Sequence, residues 1–263
     1  MSSSVYPSDA AGSRAPRRAL AARTVAIAAM DARTRDAAYM LFRSAYENTS
    51  RARFERDLDD KQHVILLQDR ASGTLKGFST VQVRDVLSGG RRTTVVFSGD
   101  TVIDREYWGQ KQLQLAFARL LATLKLRAPW RPVRWFLLSK GYRTYLLLAN
   151  AFPRSVPRLG AADDAEMHDL LHELAAERFG EQYDPARGVV RYSTPHERVR
   201  AGVAPVTPAL LDNAHVRFFL ERNPGHAEGE ELACLADVRL ADVARSAARF
   251  LVVRALRPLR GAR

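Results

Sequence analysis

The sequence predicts an α/β fold with a mixed, mostly antiparallel central sheet flanked by helices, and extra helices toward the C-terminus. Three observations predict it. The apolar segments run β-α-α-β-β-β-α-β-α over residues 24–152. Glycine-containing turns, "SGTLKG" at 72–77 and "SGGRR" at 88–92, join successive strand-like runs as hairpins. The last two strands of that region, by contrast, enclose a helix, which is the connection of a parallel pair. A fully parallel doubly wound sheet would lack the two hairpins.

Taken in order, "TVAIAAM" (24–30) makes a first strand. A helix follows over 31–48, with Ala38, Leu41, Phe42 and Ala45 on one face. Ser50 can cap a second short helix that runs through Leu58. "HVILLQD" (63–69) reads as a buried strand, "FSTVQVRDVL" (78–87) as its hairpin partner, and "VVFSGDTVID" (95–104) as the fourth strand. After Gly109, residues Leu113, Phe117, Leu120, Leu121 and Leu124 form a helical apolar stripe. Pro129 and Pro132 bracket its exit into the strand "VRWFLLS" (133–139), and a helix over 141–152 stops at Pro153. Beyond Arg158, Asp163 and Glu166 suit a helix start, with Gly180 as its end. "GVVRYS" (188–193) and "ELACLADV" (231–238) are strand candidates, and 208–222 and the stretch from Asp242 are helix candidates.

The domain organisation expected is a disordered basic tail over 1–22, one domain over 23–240 and a basic helix over 241–263. Within that domain, 24–152 form the core and 153–240 an extension. The 263 residues, 46% of them hydrophobic, suffice for one well-cored domain with additions. Single Cys234 excludes an internal disulfide, no apolar run has the length of a membrane span, and the first 22 residues lack the apolar region of a secretory signal, so the expected location is cytoplasmic.

The net charge of +12 is concentrated at the ends: residues 1–24 carry +3 and 243–263 carry +6. The body is near neutral, which disfavours nucleic acid as a partner, while the basic ends leave peripheral membrane contact open. Thirty-six of the 41 basic residues are arginine; lysine occurs only at 61, 76, 111, 125 and 140.

The stretch "VVFSGDTVIDREYWGQKQLQLAF" (95–117) carries the functional argument. A strand, a tight turn at 105–113 and a helix start place free N–H groups and a helix dipole where they favour an anion. Lys111 can add a charge-assisted contact. Segment order and this turn together resemble the GNAT superfamily of acyl-CoA-dependent N-acyltransferases. In that family the fourth strand bears a bulge, and the following turn, Gln/Arg-x-x-Gly-x-Gly/Ala, holds the pyrophosphate of coenzyme A. "YWG" (107–109) is similar to the aromatic-basic-Gly step that opens the motif. Trp108 stands where the family has Gln or Arg, Lys111 where it has the central Gly, and Leu113 where it has the last Gly or Ala.

The resemblance implies an N-acyltransferase that moves an acyl group from acyl-CoA to the primary amine of a small molecule or peptide. The lost glycines keep a second donor open, the phosphopantetheine thioester of an acyl carrier protein, because family members using that donor also depart from the pattern. The donor-binding residues it implies are Val102, Ile103, Tyr107, Trp108, Gly109, Gln110 and Lys111, with backbone N–H groups near Val102 polarising the thioester carbonyl. A tyrosine on the helix after the fifth strand often protonates the leaving thiolate, which implies Tyr145 or Tyr142.

Asp100, charged within an apolar strand, has two readings: a general base or amine anchor, or a bulge residue bonded to nearby N–H groups. The alternative to an enzyme is an inactive GNAT-like module that docks an acidic partner or anionic lipid. No metal is expected. His168 and His172 lie four apart on a helix, but on the face opposite its core stripe, where they are expected to be solvent-exposed. Cys234 is expected to be a buried structural thiol.

Overall fold

The structure, a computed structural model, describes residues 19–162, 164–192, 198–199, 206–246 and 248. In chain order the elements are β1 (Leu20–Ala26), α1 (Ala32–Ala45), β2 (Tyr46–Glu47), α2 (Arg51–Asp59), β3 (His63–Asp69), β4 (Leu75–Ser88) and β5 (Arg91–Ile103). Then come α3 (Gln112–Arg127), β6 (Val133–Ser139), α4 (Tyr142–Ala151), β7 (Ser155–Val156), α5 (Ala165–Phe179), β8 (Tyr183–Asp184) and β9 (Val189–Val190). The last are β10 (Arg198–Val199), α6 (Ala214–Arg222) and β11 (Glu231–Asp237).

The central sheet has the order β1-β3-β4-β5-β6-β11-β9-β8, with β7 also on β11. Every pairing is antiparallel except β5 with β6. This is the mixed, helix-flanked sheet that the sequence predicts. Two-residue turn Gly89-Gly90 joins β4 to β5, with φ of 54° and 73°, a conformation that two successive glycines adopt without steric cost.

Several boundaries differ from the sequence reading. β1 starts at Leu20 and pairs with β3 from Leu20↔Asp69 onward, so residues 20–22 belong to the sheet and not to the tail. The first helix ends at Ala45 because Tyr46 and Glu47 turn extended and pair with β10. Of 188–193, only Val189–Val190 is strand. The candidate over 208–222 divides into a 3-10 turn, Pro208–Asp212, and α6, with Asn213 as the cap between them. Asp164 caps α5 by accepting from Met167 N–H; Asp163 lies outside the described residues. So do most of the basic C-terminal stretch, of which 240–246 are helical, and residues 1–18.

Helices cover both faces of the sheet. On one, α3, α4 and α6 pack a core that includes Leu113, Phe117, Trp135, Leu148 and Phe219. The other is divided: α1 and α2 cover one half with Phe42, Phe54 and Phe78, and α5 covers the other with Leu170, Leu171 and Phe136. A cleft is left between these two helical blocks.

Gly77, in β4, shows how tightly the strands are fitted. A Cβ there would meet the Val102 carbonyl oxygen at 2.8 Å and Leu67 Cδ1 at 2.9 Å. Gly77→Ala is therefore expected to cost about 1–3 kcal/mol, the usual range for overpacking, read as a lower denaturant midpoint at unchanged slope.

Candidate active site

The parallel pairing of β5 with β6 runs from Thr94↔Val133 to Ser98↔Leu137 and stops. On its other side β5 has a bulge. Ser79 pairs with Thr101 and Val81 with Ser98, so the single residue Thr80 opposes Gly99 and Asp100. The extra residue bends β5 away from β6. Gly99 is required there, because a Cβ would lie 2.5 Å from Thr80 Oγ1. The bulge that the resemblance implies is present, and beyond it β5 and β6 no longer pair, leaving a splay between them.

A cavity of about 280 Å3 opens over the splay, in the cleft between α1/α2 and α5. Its floor is Phe97 to Thr101 of β5 with Leu138 of β6 and Lys140 just after it, and aromatic walls come from Phe42, Tyr46, Phe54, Phe179 and Tyr192. Three acids line it: Asp57, Asp100 and Glu231. Asp57 accepts from the buried Lys61 ammonium at 2.8 Å, and Glu231 accepts from Tyr192 Oη at 2.8 Å and faces Lys140 Nζ at 3.5 Å. Arg178 is held by Asp60 at 2.6 Å and Gln82 at 3.0 Å.

Asp100 differs from the other two. Among the described residues its half-buried carboxylate has neither a hydrogen-bond donor nor an ion-pair partner, so the reading of it as a bulge residue bonded to nearby N–H groups is not what the structure shows. Burial first, and the charge of Asp57 second, push its pKa up to about 7, against the opposing pull of Lys140 and Lys61.

On the opposite face of the splay lies the turn into α3. Gly109 adopts φ +82°, and Lys111 occupies the N-cap position of the helix. Leu115 N–H makes the first helical bond, to Lys111 O, which leaves the N–H groups of Gln112 to Gln114 without helical partners. Lys111, Gln114, Arg143 and Asn150 line a hollow of about 300 Å3 between α3 and α4, and the Gln114 Oε1 beside it is buried with no partner.

The remaining residues singled out in the sequence divide between structural and open positions. Tyr107 is buried and donates its hydroxyl to Asp69 at 3.0 Å, Trp108 donates Nε1 to Ile103 O at 2.8 Å beneath the Arg143 guanidinium, and Gln110 Oε1 accepts from Leu20 N at 2.9 Å. These three fix the turn, and their polar atoms are already used. Of the amides near Val102, its own is not available to a ligand. Asp104 N–H donates to Lys76 O, and alternation along the antiparallel ladder turns the Val102 amide toward Phe78 of β4. The amides facing away from β4, into the splay, are those of Thr101 and Ile103.

Tyr145 and Asp100 are not brought together. Tyr145 is fully buried, packed on Phe218 and Phe219 of α6, and burial pushes its pKa up to about 12. Tyr142 is buried too, its hydroxyl accepting from Arg143 Nε at 3.3 Å, on the α3 side.

His168 and His172 are half-buried, contrary to expectation, because residues 183–188 fold over that side of α5. Their rings stack at 6.4 Å, and His172 Nδ1 is 2.6 Å from Tyr183 Oη, beside a cavity of about 130 Å3. No group of three metal-ligating side chains occurs among the described residues. Cys234 is fully buried, and burial raises its thiol pKa. No helix among the described residues is long and apolar enough to cross a membrane.

The cavity residues that the sequence did not mark had a signal in it. In a chain that nearly always uses arginine, Lys61 and Lys140 are two of five lysines, and both flank this cavity. Glu231, like Asp100, is an acid inside an apolar strand.

No family model matches the sequence, and no curated protein matches it. Among solved structures, the chain is similar to a probable N-acyltransferase of Enterococcus faecalis, at 19% identity and TM-score 0.38, over 49% of this chain and 31% of that one. It is also similar to the GNAT family N-acetyltransferase YhbS of Escherichia coli in complex with CoA, at 17% identity and TM-score 0.35, over 48% and 65% of the two chains. A third is NAA60 of Arabidopsis thaliana in complex with a bisubstrate analogue, at 11% identity and TM-score 0.37, over 50% and 83%.

The Asp100 carboxyl sets a pH dependence of stability. It ionises near 3.8 when unfolded and at about 7 when folded, so the folded chain holds the extra proton between these values. The stability this contributes is complete below pH 3.8 and is lost as pH rises through 7. Asp100→Asn is neutral throughout, so its melting temperature should exceed that of the native protein by a few °C at pH 8 and by little at pH 4. An equal difference at both values would mean that Asp100 ionises normally in the folded chain.

Proposed function

We propose that this chain is a divergent GNAT-like N-acyltransferase that moves an acyl group from a pantetheine thioester to a primary amine. The observation that carries this reading is the carboxylate without a partner at the splay: Asp100 sits on the bulge where β5 leaves β6, in a cavity walled by aromatic rings. An amine fits such a site, since the carboxylate anchors its ammonium form and the π faces favour a cation.

The donor is acyl-CoA, or an acyl carrier protein bearing the same arm, and supplies an activated carbonyl. The α3 N-terminus, with Lys111 and Arg143, suits its phosphates. The buried Gln114 Oε1 suits an amide N–H of the arm. Thr101 and Ile103 N–H point to where negative charge develops on the carbonyl oxygen. The bound ammonium first gives one proton to solvent, and Asp100, ionised above pH 7, then takes the second, which the neutral amine loses as nitrogen bonds to the carbonyl carbon. Once the carbon–sulfur bond breaks, the protonated Asp100 returns that proton to the thiolate. A group that ionises near the working pH can serve in both directions. This leaves Tyr145 without a chemical role.

The test is thiol release from acetyl-CoA and longer acyl-CoAs in the presence of a panel of primary amines. Asp100→Asn should lower kcat/KM by roughly a hundredfold, with the deficit greatest above pH 7, where native Asp100 is ionised, and smallest near pH 5. A deficit independent of pH would remove Asp100 as the base. Tyr145→Phe should keep turnover within about twofold; a hundredfold loss would restore it as the acid.

The donor half is tested separately. Coenzyme A should raise the melting temperature, because a ligand bound only by the folded chain stabilises it by mass action. Lys111→Glu should abolish that rise by setting a carboxylate beside the phosphates, and an unchanged rise would place the donor elsewhere.

A further inference from the structure

The three most exposed large apolar side chains among the described residues are Trp130, Leu87 and Leu126, at 77%, 75% and 63% exposure. Leu87 is distant in sequence from the other two, yet all three lie at one end of the sheet. Leu87 is one residue from the tip of the β4–β5 hairpin, opposite Arg92. Leu126 is in the last turn of α3, and Trp130 belongs to the connection between α3 and β6. The two loops are tied together: Thr94 N–H donates to Pro132 O at 2.9 Å, and Asp85 accepts from both Arg92 Nε and Arg131 Nη1 at 2.8 Å.

The polar residues around them are almost all cations. Arg91, Arg92, Arg127 and Arg131 lie in the same two stretches of chain as the three apolar side chains, and the acid between those stretches, Asp85 of β4, already has Arg92, Arg131 and Thr94 on its oxygens. Both loops therefore present the same arrangement, a protruding apolar side chain flanked by arginines.

We infer that this end of the molecule docks on an anionic lipid surface, with Trp130, Leu87 and Leu126 entering the headgroup boundary and the arginines engaging lipid phosphates. The pairing of features selects this occupant. Tryptophan is enriched at the membrane–water interface, where its ring sits among headgroups. Basic residues beside inserted apolar ones add attraction to anionic lipid. Nucleic acid would use the arginines but gain nothing from exposed leucines. Residues 249–263 of the chain itself are no candidate on charge, since they carry five arginines and no acid, so they would be repelled by this patch and attracted to the same lipid. Docking here also leaves the cavity clear: Arg91 and Phe97, where the cavity floor begins, are six residues apart along β5, roughly 20 Å at about 3.3 Å per residue. The inference does not depend on the acyl-transfer reading.

The experiment is co-sedimentation of the full chain with vesicles of phosphatidylcholine alone or with 30% phosphatidylglycerol, at roughly 0.1 M salt. Binding is expected only with the anionic vesicles, and bromine-labelled acyl chains should quench part of the tryptophan fluorescence. Leu87→Ser with Trp130→Ser should weaken binding at least tenfold and remove the quenching. Both side chains are exposed, so the variant's melting temperature should match that of the native protein. Native-like binding by that variant, or binding without quenching, would overturn the inference, as would no binding of the native chain at all. Binding to duplex DNA in preference to the vesicles, insensitive to the two serines and lost in Arg91→Glu with Arg127→Glu, would assign the face to nucleic acid instead.

Discussion

The proposed site depends on one local constraint: β5 cannot follow β6 past Ser98. Strands pair in parallel only while their twist and register agree. The two-for-one pairing at Thr80 breaks that agreement by inserting Gly99 and Asp100 opposite one residue of β4. From that break follow the gap between the strands, the outward turn of the Thr101 and Ile103 amides, and the entry of the Asp100 side chain into the cleft. Gly99 makes the bulge sterically feasible, with the Lys61 side chain packed directly over it. Lys61 could have neutralised Asp100, but its ammonium is taken up by the carbonyl and carboxylate of Asp57 and by Asp60. Lys140 is similarly drawn to Glu231. The surrounding charges are thus arranged so that one carboxylate stays without a partner at the floor of the cavity. That arrangement costs stability, and such a cost at a concave site is the usual mark of function.

Much of the fold was legible because its signals are local. Hairpin glycines, helix-period stripes and proline stops each act within a few residues, and they placed β3, β4, β5, α3, β6 and α4 nearly where they are. What the sequence hid depends on partners far along the chain. β1 begins four residues earlier than its hydrophobicity suggests because β3 offers backbone partners as far as Asp69. Tyr46 and Glu47 leave the helical pattern because β10, some 150 residues later, pairs with them. Asp100 could be read as anomalous from one strand alone, since a charge between apolar residues is a local fact. The amides could not: which of Val102 and its neighbours faces the gap depends on the ladder phase set across the sheet. Tyr145 was misplaced for a similar reason, because α6, which encloses its ring, belongs to a segment with little periodicity.

The sheet also separates the two halves of the proposed reaction. α3 and α4 on one face supply a positive, amide-rich hollow suited to an anionic arm. α1, α2 and α5 on the other supply acids and aromatic rings suited to a cationic amine. Ligands of opposite charge would therefore approach from opposite faces and meet only through the splay. The glycines missing from the α3 turn fit this division. Trp108, Tyr107 and Gln110 clamp that turn to Ile103, Asp69 and Leu20, so its shape comes from side-chain anchors where the family pattern relies on backbone freedom. A turn fixed in this way needs φ > 0 only at Gly109, which leaves the positions of the other two glycines open to Lys111, whose charge faces the hollow, and to Leu113, which joins the core.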